Sequence, residues 1–466
     1  MSGMFSSLLK RATGGWRTWS RSYEGAATGR RTGGWGAMRN QHGAAQAARA
    51  PTSYRARYLV ANNPHGAAGK AAWAAALVGT GIVPAVTGDV SARWTAWTDE
   101  ADADGLMDFY GLTALMVGGM VVDGEALALL IATPAGLRIR VLDPDQLDAS
   151  LTRPLPEGGR IVNGVEFDMF GSRVAYWIVK ERPEIGLGLN LQPVRVPAED
   201  VVHLFRPDFP GQVRGVSWFA PAILRLAEHD EWHGAQLTRQ KVGALLAGLI
   251  TTNDATLPFG GEAQGDALIG SLEPGAMVVL PPGKDVTFSN PPAIAQEAND
   301  FARITLHEIA AALGLPYEVL TGDLSSVNYS SIRAGLVEWR RRVEMIQHNV
   351  IVFQALRPIW RRWAMIESLQ GRLAARPQDL LPVRWITPKQ QWVDPAKDVQ
   401  AEIDAINAGL MSRREAVAAR GMDVGALDDE IAADKAREAR LGLAFSTPAK
   451  AAPAAPAKAP IEETVA

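Results

Sequence analysis

The most constraining feature of this chain is a pair of long helical segments that enclose a short β-rich insert near its middle. The pattern predicts a first helix over residues 217–249 and a second that begins near Asp300 and ends before Gly314 and Pro316. The insert is centred on residues 275–288, and a third, longer helix follows. No catalytic signature lies on these segments. The arrangement is typical of a structural subunit that packs against copies of itself.

Composition narrows the possible functions. The chain has 466 residues, enough for several domains, and a formal net charge of -3, so its overall charge does not favour gripping nucleic acid. It has 0 cysteines, which excludes disulfides, thiolate metal sites and cysteine nucleophiles. No apolar run reaches the roughly 20 residues that a membrane-spanning helix requires, and the N-terminus lacks a signal-peptide pattern. We therefore expect a soluble protein that is intracellular when made and has no membrane partner.

Both ends of the chain are predicted to lie outside the packed core. Residues 1–52 are rich in Gly, Arg, Ser and Ala, and Glu24 is the one acidic residue among many arginines. We interpret this segment as a flexible basic arm, with a dedicated DNA-binding element as the alternative. Residues 446–466 are predicted to be a disordered Ala/Pro tail.

Between these ends, the part of the chain from residue 53 to about residue 210 reads as one α+β domain. The dipeptide Asn163-Gly164 between two apolar runs predicts a tight β-hairpin. Hydrophobic spacing of three to four residues predicts helices, and alternation predicts strands. The predicted helices start at Ser53 and cover residues 65–78 and 101–122, and the predicted strands cover residues 137–141, 173–179 and 201–205.

The third helix is the most regular segment of the sequence. Its apolar residues recur in alternating steps of four and three, which is a seam suited to long helix packing. If unbroken over residues 331–363 it would span roughly 50 Å, and Pro358 is expected to kink it. Its basic cluster Arg340, Arg341 and Arg342 must spread over several faces, because consecutive helix residues point about 100° apart. The apolar seam consists of Ile332, Leu336, Trp339, Val343, Ile346, Val350 and Phe353.

The region after Pro377 is predicted to end in helices. A pair over residues 395–408 and 412–420 has Gly409 and Gly421 as stop signals, and a charged helix covers residues 424–441.

Several candidate chemical sites do not fit their motifs. His229 and His233 share a helix face, but Glu231 is one place too late for a zinc protease, so we interpret both as structural histidines. The segment 66–70 resembles part of a phosphate loop, yet the positions of the first glycine and of the Ser/Thr do not match. Asp143, Asp145 and Asp148 surround a proline turn, and a metal site there is the less favoured interpretation. No cofactor is expected.

A set of short stretches, in the right order over residues 53–445, resembles the lambda-like family of phage portal proteins. Each stretch is weak by itself, and the ordered series is specific. The stretches are Arg57-Tyr-Leu-Val-Ala-Asn-Asn-Pro64, Val78-Gly-Thr-Gly-Ile82, Gly124-Glu125-Ala126, Val141-Leu-Asp-Pro-Asp-Gln-Leu147, Asn163-Gly-Val-Glu-Phe167, Val196-Pro-Ala-Glu-Asp-Val-Val-His203, Arg214-Gly-Val-Ser-Trp218, Asn328-Tyr-Ser-Ser331 and Trp392-Val-Asp-Pro395.

The resemblance implies an elongated α+β protomer. Its parts would be a wing, a helical stem, a small β-rich clip, a long kinked tunnel helix and a helical crown. The implied boundaries are wing 53–215, stem helix 1 216–249, clip 250–294, stem helix 2 295–320, tunnel loop 321–330, tunnel or wing helix 331–370, and wing return with crown 371–445.

The resemblance also implies which residues carry the function, and none of them is catalytic. The tunnel loop would face DNA, the tunnel helix would line or brace the channel, and the clip would dock the packaging motor and later the connector. The implied residues are Gly322, Asp323, Ser325, Ser326, Asn328 and Tyr329 in the loop, Arg340, Arg341, Arg342 and Pro358 in the helix, and Met277, Val279, Lys284, Val286 and Phe288 in the clip.

The partners implied by the resemblance are further copies of the chain in a ring of about twelve, double-stranded DNA, the terminase large subunit, a head–tail connector or adaptor, and the major capsid and scaffold proteins. The expected location is the portal vertex of a virion, and the host cytoplasm during assembly. Two other hypotheses stay open on the sequence alone. One is a DNA-processing accessory enzyme with an Asp-based metal site, and the other is a non-viral oligomeric scaffold.

Overall fold

A computed structural model describes residues 40–180, 192–244, 248–252, 262–264, 267–269, 284–288, 296–325, 329–381, 383–388 and 395–443. The chain divides into two units, residues 1–44 and 45–466. In the described part of the first unit, the Asn40 side chain accepts the backbone N–H of Gly43 at 2.9 Å, which satisfies one free donor at a helix start.

The helices of the described residues are, in chain order, α1 (Gln41–Asn62), α2 (Pro64–Leu77), α3 (Gly88–Thr98), α4 (Phe109–Val122), α5 (Ile223–Ala244), α6 (Gln296–Leu313), α7 (Tyr317–Thr321), α8 (Tyr329–Ile346), α9 (Arg357–Leu369), α10 (Pro395–Asn407), α11 (Arg413–Ala418) and α12 (Val424–Leu441). A π-helical segment, Gln347–Leu356, joins α8 to α9.

The strands of the described residues are β1 (Val83–Pro84), β2 (Glu125–Thr133), β3 (Gly136–Leu142), β4 (Arg153–Pro154), β5 (Arg160–Val162), β6 (Val165–Phe167), β7 (Arg173–Val179), β8 (Pro193–Pro197), β9 (Val201–Phe205), β10 (Gly248–Thr252), β11 (Glu262–Gln264), β12 (Ala267–Ile269), β13 (Lys284–Phe288) and β14 (Trp385–Ile386).

Two antiparallel sheets organise the region from β2 to β9. One has three strands in the order β3-β2-β9, and the other is a five-stranded meander in the order β4-β5-β6-β7-β8. The predicted hairpin at Asn163-Gly164 is confirmed, because both residues have positive φ (51° and 81°) and connect β5 to β6. Such backbone angles match the twist of the flanking strands. The mixed α+β class predicted from the sequence is confirmed.

Tryptophans fill the main core between α2, α3, α4 and α9. Trp73, Trp360 and Trp363 are among the largest fully buried side chains. Trp94 of α3 lies between the helices, with ring centroids 5.0 Å from Trp363 and 5.3 Å from Phe109. Edge-to-face packing of this kind adds to the free energy gained by burying the rings. A smaller apolar cluster lies between the two sheets and includes Leu127, Val165 and Tyr176.

The first helix begins earlier than predicted. Residues 41–52 were assigned to the flexible basic arm, but α1 starts at Gln41 and continues through Pro51. Arg49 and Ser53 are buried on one face of α1, where Arg49 contacts Glu125 and Ser53 donates to Asp123. These partners are distant in sequence, so composition could not indicate them. Residues 1–39 of the predicted arm lie outside the described residues.

The helix predicted over residues 101–122 is shorter, because its first turns are a loop. The Asp102 carboxylate accepts the backbone N–H groups of Asp104, Leu106 and Met107 at 2.8 to 3.1 Å. Asp108 then caps α4, which begins at Phe109. Because the Asp102 side chain accepts these backbone N–H groups, they are not available for helical hydrogen bonds, and α4 begins later than predicted.

The first long helix differs from the prediction at both ends. Residues 217–222 form tight turns, in which the Ser217 hydroxyl accepts the N–H of Phe219 at 3.2 Å, and α5 begins at Ile223. Residues 248–252 are the strand β10, which pairs antiparallel with β13 from Gly248↔Phe288 to Thr252↔Lys284. The pairing partner lies far along the chain, so the local pattern favoured helix where the tertiary structure has a strand.

The third helix is interrupted by the π-helical segment. At its end, the N–H of Arg357 donates to the carbonyl of Val352, five residues back. The extra residue in the turn rotates the apolar seam, so Val343, Ile346 and Val350 are buried as predicted while Phe353 is 61% exposed. The placement of Phe353 on the seam was wrong. Pro358 is the second residue of α9, where its missing N–H is tolerated, and a kink at Pro358 stays a prediction.

The C-terminal helices follow the sequence signals closely. Ser412 accepts the N–H of Glu415 at 3.1 Å and caps α11, and Asp423 accepts the N–H of Gly425 at 2.8 Å and caps α12. Gly409, Gly421 and Gly442 have positive φ at the helix ends, the conformation that favours glycine there. The predicted helices over 395–408, 412–420 and 424–441 are confirmed to within a few residues.

Candidate functional site

The predicted DNA-facing loop follows the short helix α7. Gly322 ends α7 with φ 71°, and its N–H donates to the carbonyl of Glu318 at 2.9 Å. Thr321 is still helical and Tyr329 is the first residue of α8, so the loop is shorter at both ends than the predicted 321–330. Ser326 and Asn328 lie outside the described residues.

Asp323 is tied to the end of α7 and to the next residues of the loop. Its carboxylate accepts the N–H of Ser325 at 2.9 Å and the Ser325 hydroxyl at 2.6 Å, and Tyr317 donates to it at 3.2 Å. The hydrogen bonds from Ser325 hold the pKa of Asp323 below its usual value. The side chain is therefore a carboxylate at neutral pH and has an ordered hydrogen-bond environment.

The three arginines of α8 do not form one basic patch. Arg342 donates to the carbonyl of Gly314 at 3.1 Å, beside the buried Trp73. Arg341 lies 3.7 Å from Glu338, and both side chains are exposed. Arg340 also has an interaction partner. The prediction that these residues spread over several helix faces agrees with this arrangement.

The clip residues fall partly within the described strands. Lys284, Val286 and Phe288 belong to β13, where their backbones are in register with Thr252, Ile250 and Gly248 of β10. Met277 and Val279 lie outside the described residues. The two helices beside this insert pack together, because Arg225 of α5 lies 3.4 Å from Glu308 of α6, and Trp232 of α5 lies 5.2 Å from Phe301 of α6.

A buried ion network that the sequence did not reveal lies at the start of β2. Glu125 is fully buried, and its carboxylate accepts Nε–H of Arg214 at 2.8 and 2.9 Å and the N–H of Gly215 at 3.0 Å. A second Arg214 nitrogen also donates to Glu125. His203 contacts the carboxylate at 3.0 Å, and Arg49 of α1 lies 3.5 Å away. Burial with this many donors requires the carboxylate to be charged.

The protonation states in this network follow from its geometry. Burial alone would raise the pKa of Glu125, but Arg214 and His203 outweigh it and hold that pKa below its usual value. Burial lowers the pKa of His203 to about 4, although Glu125 opposes the shift. Since the Arg173 guanidinium faces Nδ1 of His203 at 3.0 Å, Nδ1 accepts and Nε2–H donates to Glu125. His203 is therefore neutral at pH 7.

A second ion cluster fastens α1 to the same place. Arg57 donates to Asp123 at 2.6 Å and to Asp143 and Asp145 at 3.0 Å each, and Ser53 donates to Asp123 at 2.6 Å. Burial opposes the charge of Arg57, yet the three carboxylates outweigh it and raise its pKa. Asp143 also caps a short turn that includes Pro144, as the turn interpretation expected. Of the three aspartates in the metal hypothesis, Asp143 and Asp145 are bound by Arg57, and Asp148 accepts hydrogen bonds from Ser150, so these partners disfavour a metal site there.

Two glycines allow the backbones at the network to approach closely. Gly124 has φ 90°, and a Cβ there would lie 2.2 Å from the carbonyl carbon of Val216. A Cβ on Gly215 would lie 2.0 Å from the Gly124 carbonyl oxygen. Both contacts are shorter than atoms tolerate, so these positions require glycine. The sequence signal was the pair of stretches around Gly124-Glu125 and Arg214-Gly215, whose meeting point it could not indicate.

The remaining motif candidates have structural explanations. His229 is buried on α5, with its ring centroid 5.6 Å from that of His65 and 6.3 Å from that of His233. Gly66 and Gly69 lie within α2, and not in a phosphate-binding loop. Among the described ranges, no group of three or more His, Cys, Asp or Glu side chains is arranged to hold a metal ion. None of the helices within the described residues has the length and apolar character that crossing a bilayer requires.

The comparison with protein families identifies the chain. A family model described as phage portal protein, lambda family, matches residues 28–347. The chain belongs to the phage portal proteins, a structural family. It belongs to the lambda family of these proteins, as the ordered motifs predicted.

Curated relatives agree with this assignment. The chain is 28% identical to a probable portal protein of Halomonas phage phiHAP-1 over 372 residues, covering 76% of this chain and 71% of the relative. It is 26% identical to the portal protein of Escherichia phage N15, covering 62% and 61%. It is 25% identical to portal protein B of Escherichia phage lambda, covering 54% and 53%. The chain thus spans little more than half the length of the last two relatives.

Two solved structures that match the chain do so with TM-scores below 0.5. A chain from the virion of a native gene transfer agent particle matches with TM-score 0.45 and 17% identity, covering 85% of this chain and 94% of that chain. A portal protein of the HK97 family from Corynebacterium diphtheriae matches with TM-score 0.32 and 13% identity, covering 75% and 97%. At these scores the family assignment rests on the sequence comparisons.

Proposed function

We propose that this portal protein forms a ring of about twelve copies at one vertex of a capsid, with a central channel through which double-stranded DNA enters and leaves. The observation that carries the proposal is the match of the lambda-family portal model to residues 28–347. The ring would belong to the virion and would assemble in the host cytoplasm.

The described elements support the following assignment of the parts of the protomer. The sheets and helices of residues 53–215 would be the wing, and α5 with α6 would be the stem. The β10–β13 pair would belong to the clip, which docks the terminase large subunit and later the connector. The loop after Gly322 would face DNA, and residues 371–445 would include the crown. The major capsid and scaffold proteins would contact the outside of the ring.

Exposed apolar side chains support contacts between copies along the stem and the long helix. Isolated exposed apolar residues are ordinary, but here they recur on the helices proposed to form the ring. A subunit in a ring uses two different faces, one for each neighbour, so apolar residues on several helices are expected. The residues are Leu224 and Leu237 on α5, Phe301 and Ile304 on α6, and Val337 and Met345 on α8, each at least 42% exposed.

The charge of the chain supports passage of DNA without tight binding. Every fixed phosphate contact by a cation adds affinity through release of counterions, and many such contacts would stall movement. The formal net charge is -3, and Arg342 and Arg341 of α8 have a carbonyl and a carboxylate partner. The Asp323 carboxylate repels a phosphate group, and the Ser325 hydroxyl already donates to Asp323, so neither group would hold DNA tightly. Such a surface suits a conduit whose motor is another protein.

The test is the mass of the purified full chain, measured by light scattering and native mass spectrometry. If the proposal is right, the chain forms a cyclic homo-oligomer of roughly ten or more subunits. Electron micrographs should then show an axial hole. A chain that remains a monomer or dimer at high concentration would refute it. Deleting residues 322–329 should leave the ring mass unchanged and impair DNA packaging or retention. Loss of the ring in that deletion would contradict the assignment of the loop.

A further inference from the structure

The helix α7 lies between the proposed stem helix α6 and the proposed DNA-facing loop, and its first residue contacts both. Tyr317 is 9% exposed, and its ring stacks on the His307 ring of α6 with centroids 4.0 Å apart and planes inclined by 21°. Leu320 of α7 is buried and faces Gly69 of α2. The Tyr317 ring is thus held by α6 on one side while α7 is anchored on the core.

The hydroxyl of the same tyrosine reaches the loop. It donates to one carboxylate oxygen of Asp323 at 3.2 Å, and the other carboxylate oxygen accepts from the backbone and side chain of Ser325. Thr321 strengthens the turn, because its hydroxyl donates to the Tyr317 carbonyl at 2.9 Å and accepts the N–H of Asp323 at 3.2 Å. A continuous series of contacts therefore joins His307, Tyr317, Asp323 and Ser325.

We propose that Tyr317 is a positioning residue that sets the orientation of the loop at Asp323 and Ser325 relative to the stem helix α6. The functional importance of this role rests on the proposed function of the loop. A shift of α6 against the core would move the Tyr317 ring and, through its hydroxyl, the Asp323 carboxylate. The loop would then present its polar groups to the channel in an orientation that depends on the stem.

The charges of the two groups suit this hydrogen bond. Burial and the neighbouring Asp323 carboxylate raise the pKa of Tyr317, so the phenol keeps its proton. The hydrogen bonds from Ser325 lower the pKa of Asp323, so its carboxylate stays an acceptor. Donor and acceptor states therefore persist together through the neutral pH range.

The test is hydrogen exchange of the full chain at neutral pH on the millisecond timescale, read in peptides that cover residues 318–325. Tyr317→Phe removes the hydroxyl and keeps the ring. The expected result is about fivefold faster exchange at the Ser325 amide, the change that loss of one ordinary hydrogen bond produces, with exchange in α6 unchanged. The matched control is Tyr58→Phe, because that ring is 67% exposed and lies on α1. Equal exchange in the two variants would overturn the proposal.

A double-mutant cycle separates positioning from general loosening. Asp323→Ala removes the acceptor on the loop, so adding Tyr317→Phe to it should change loop exchange by less than about twofold, since coupled partners are not additive. If the two substitutions each multiply the exchange rate of the loop independently, the coupling between Tyr317 and Asp323 is refuted. If the chain forms a ring but Tyr317→Phe leaves hydrogen exchange in the loop unchanged, only this inference is refuted. If the chain forms no ring but Tyr317→Phe has the expected effect on loop exchange, only the proposed function is refuted.

Discussion

Replacing Glu125 with Gln tests the most important interaction in the described fold. Glu125 has no exposed surface and accepts hydrogen bonds from Arg214, His203 and the N–H of Gly215, with Arg49 at 3.5 Å. Glutamine has nearly the same volume, so the packing is preserved while the negative charge is lost. Arg214, which is only 4% exposed, then keeps its positive charge without a compensating carboxylate.

The expected loss is large because the pair is completely buried. Removing one partner of a buried ion pair typically costs about 3–5 kcal/mol, since the remaining charge is left without compensation. Natural domains are stable by only about 5–15 kcal/mol, so Glu125→Gln should remove a substantial part of the free energy of unfolding. Adding Arg214→Met should recover part of the loss, because the pair is then replaced by neutral groups.

The assay is urea unfolding at pH 7, followed by far-ultraviolet circular dichroism. The matched control is Glu100→Gln, because Glu100 pairs with Arg138 at 3.2 Å while its side chain is 57% exposed. An exposed pair contributes about 0–1 kcal/mol, so the control should unfold close to the unaltered chain. If Glu125→Gln loses no more free energy of unfolding than Glu100→Gln, the network does not stabilise the fold as argued.

Further predictions concern His203, the tryptophan core and the π-helical segment. The pKa of His203 is lowered to about 4, so the unfolded chain binds this proton first. The stabilising contribution of neutral His203 is complete above about pH 6.5 and is lost as the pH falls towards 4. The melting temperature of His203→Gln should therefore fall less steeply over that pH range than the melting temperature of the unaltered chain. Equal slopes of melting temperature against pH would refute the argument. Trp363→Ala removes a fully buried ring and should cost about 3–5 kcal/mol in urea unfolding. Phe353→Ala, where the ring is 61% exposed, should cost less than about 0.5 kcal/mol, and the reverse ranking would show that the π-helical segment is misassigned.

Local sequence signals predicted the elements whose hydrogen bonds are local. Asn163-Gly164 predicted the β5–β6 turn, and the glycines at 409 and 421 predicted helix ends, because backbone angles at these positions depend on the residue itself. Strands β7 and β9 were predicted at their observed bounds from alternation of apolar residues. The family was predicted from ordered short motifs, and the lambda-family model confirms it.

The misassigned elements depend on distant partners. The sequence pattern does not predict β2, because five of its nine residues are buried, four of them in succession, and apolar and polar positions hardly alternate. The local pattern of residues 248–252 predicts helix, whereas their pairing with β13 makes them a strand. The part of α1 before Ser53 packs through Arg49, whose partner Glu125 lies 76 positions away in the sequence. The DNA-facing, clip and tunnel-helix residues stay predictions, since a single chain does not show what they face.

The sequence by itself determined the class of fold, the helix ends, the hairpin and the family, because these follow from local backbone preferences and from the order of short motifs. The tertiary structure decided that Glu125, His203, Arg214 and Arg49, spread over more than 150 positions, meet in one buried network. The physical reason is that a buried charge is stable only where several partners converge on it. That convergence is a property of three-dimensional packing, which the spacing of residues along the chain does not record.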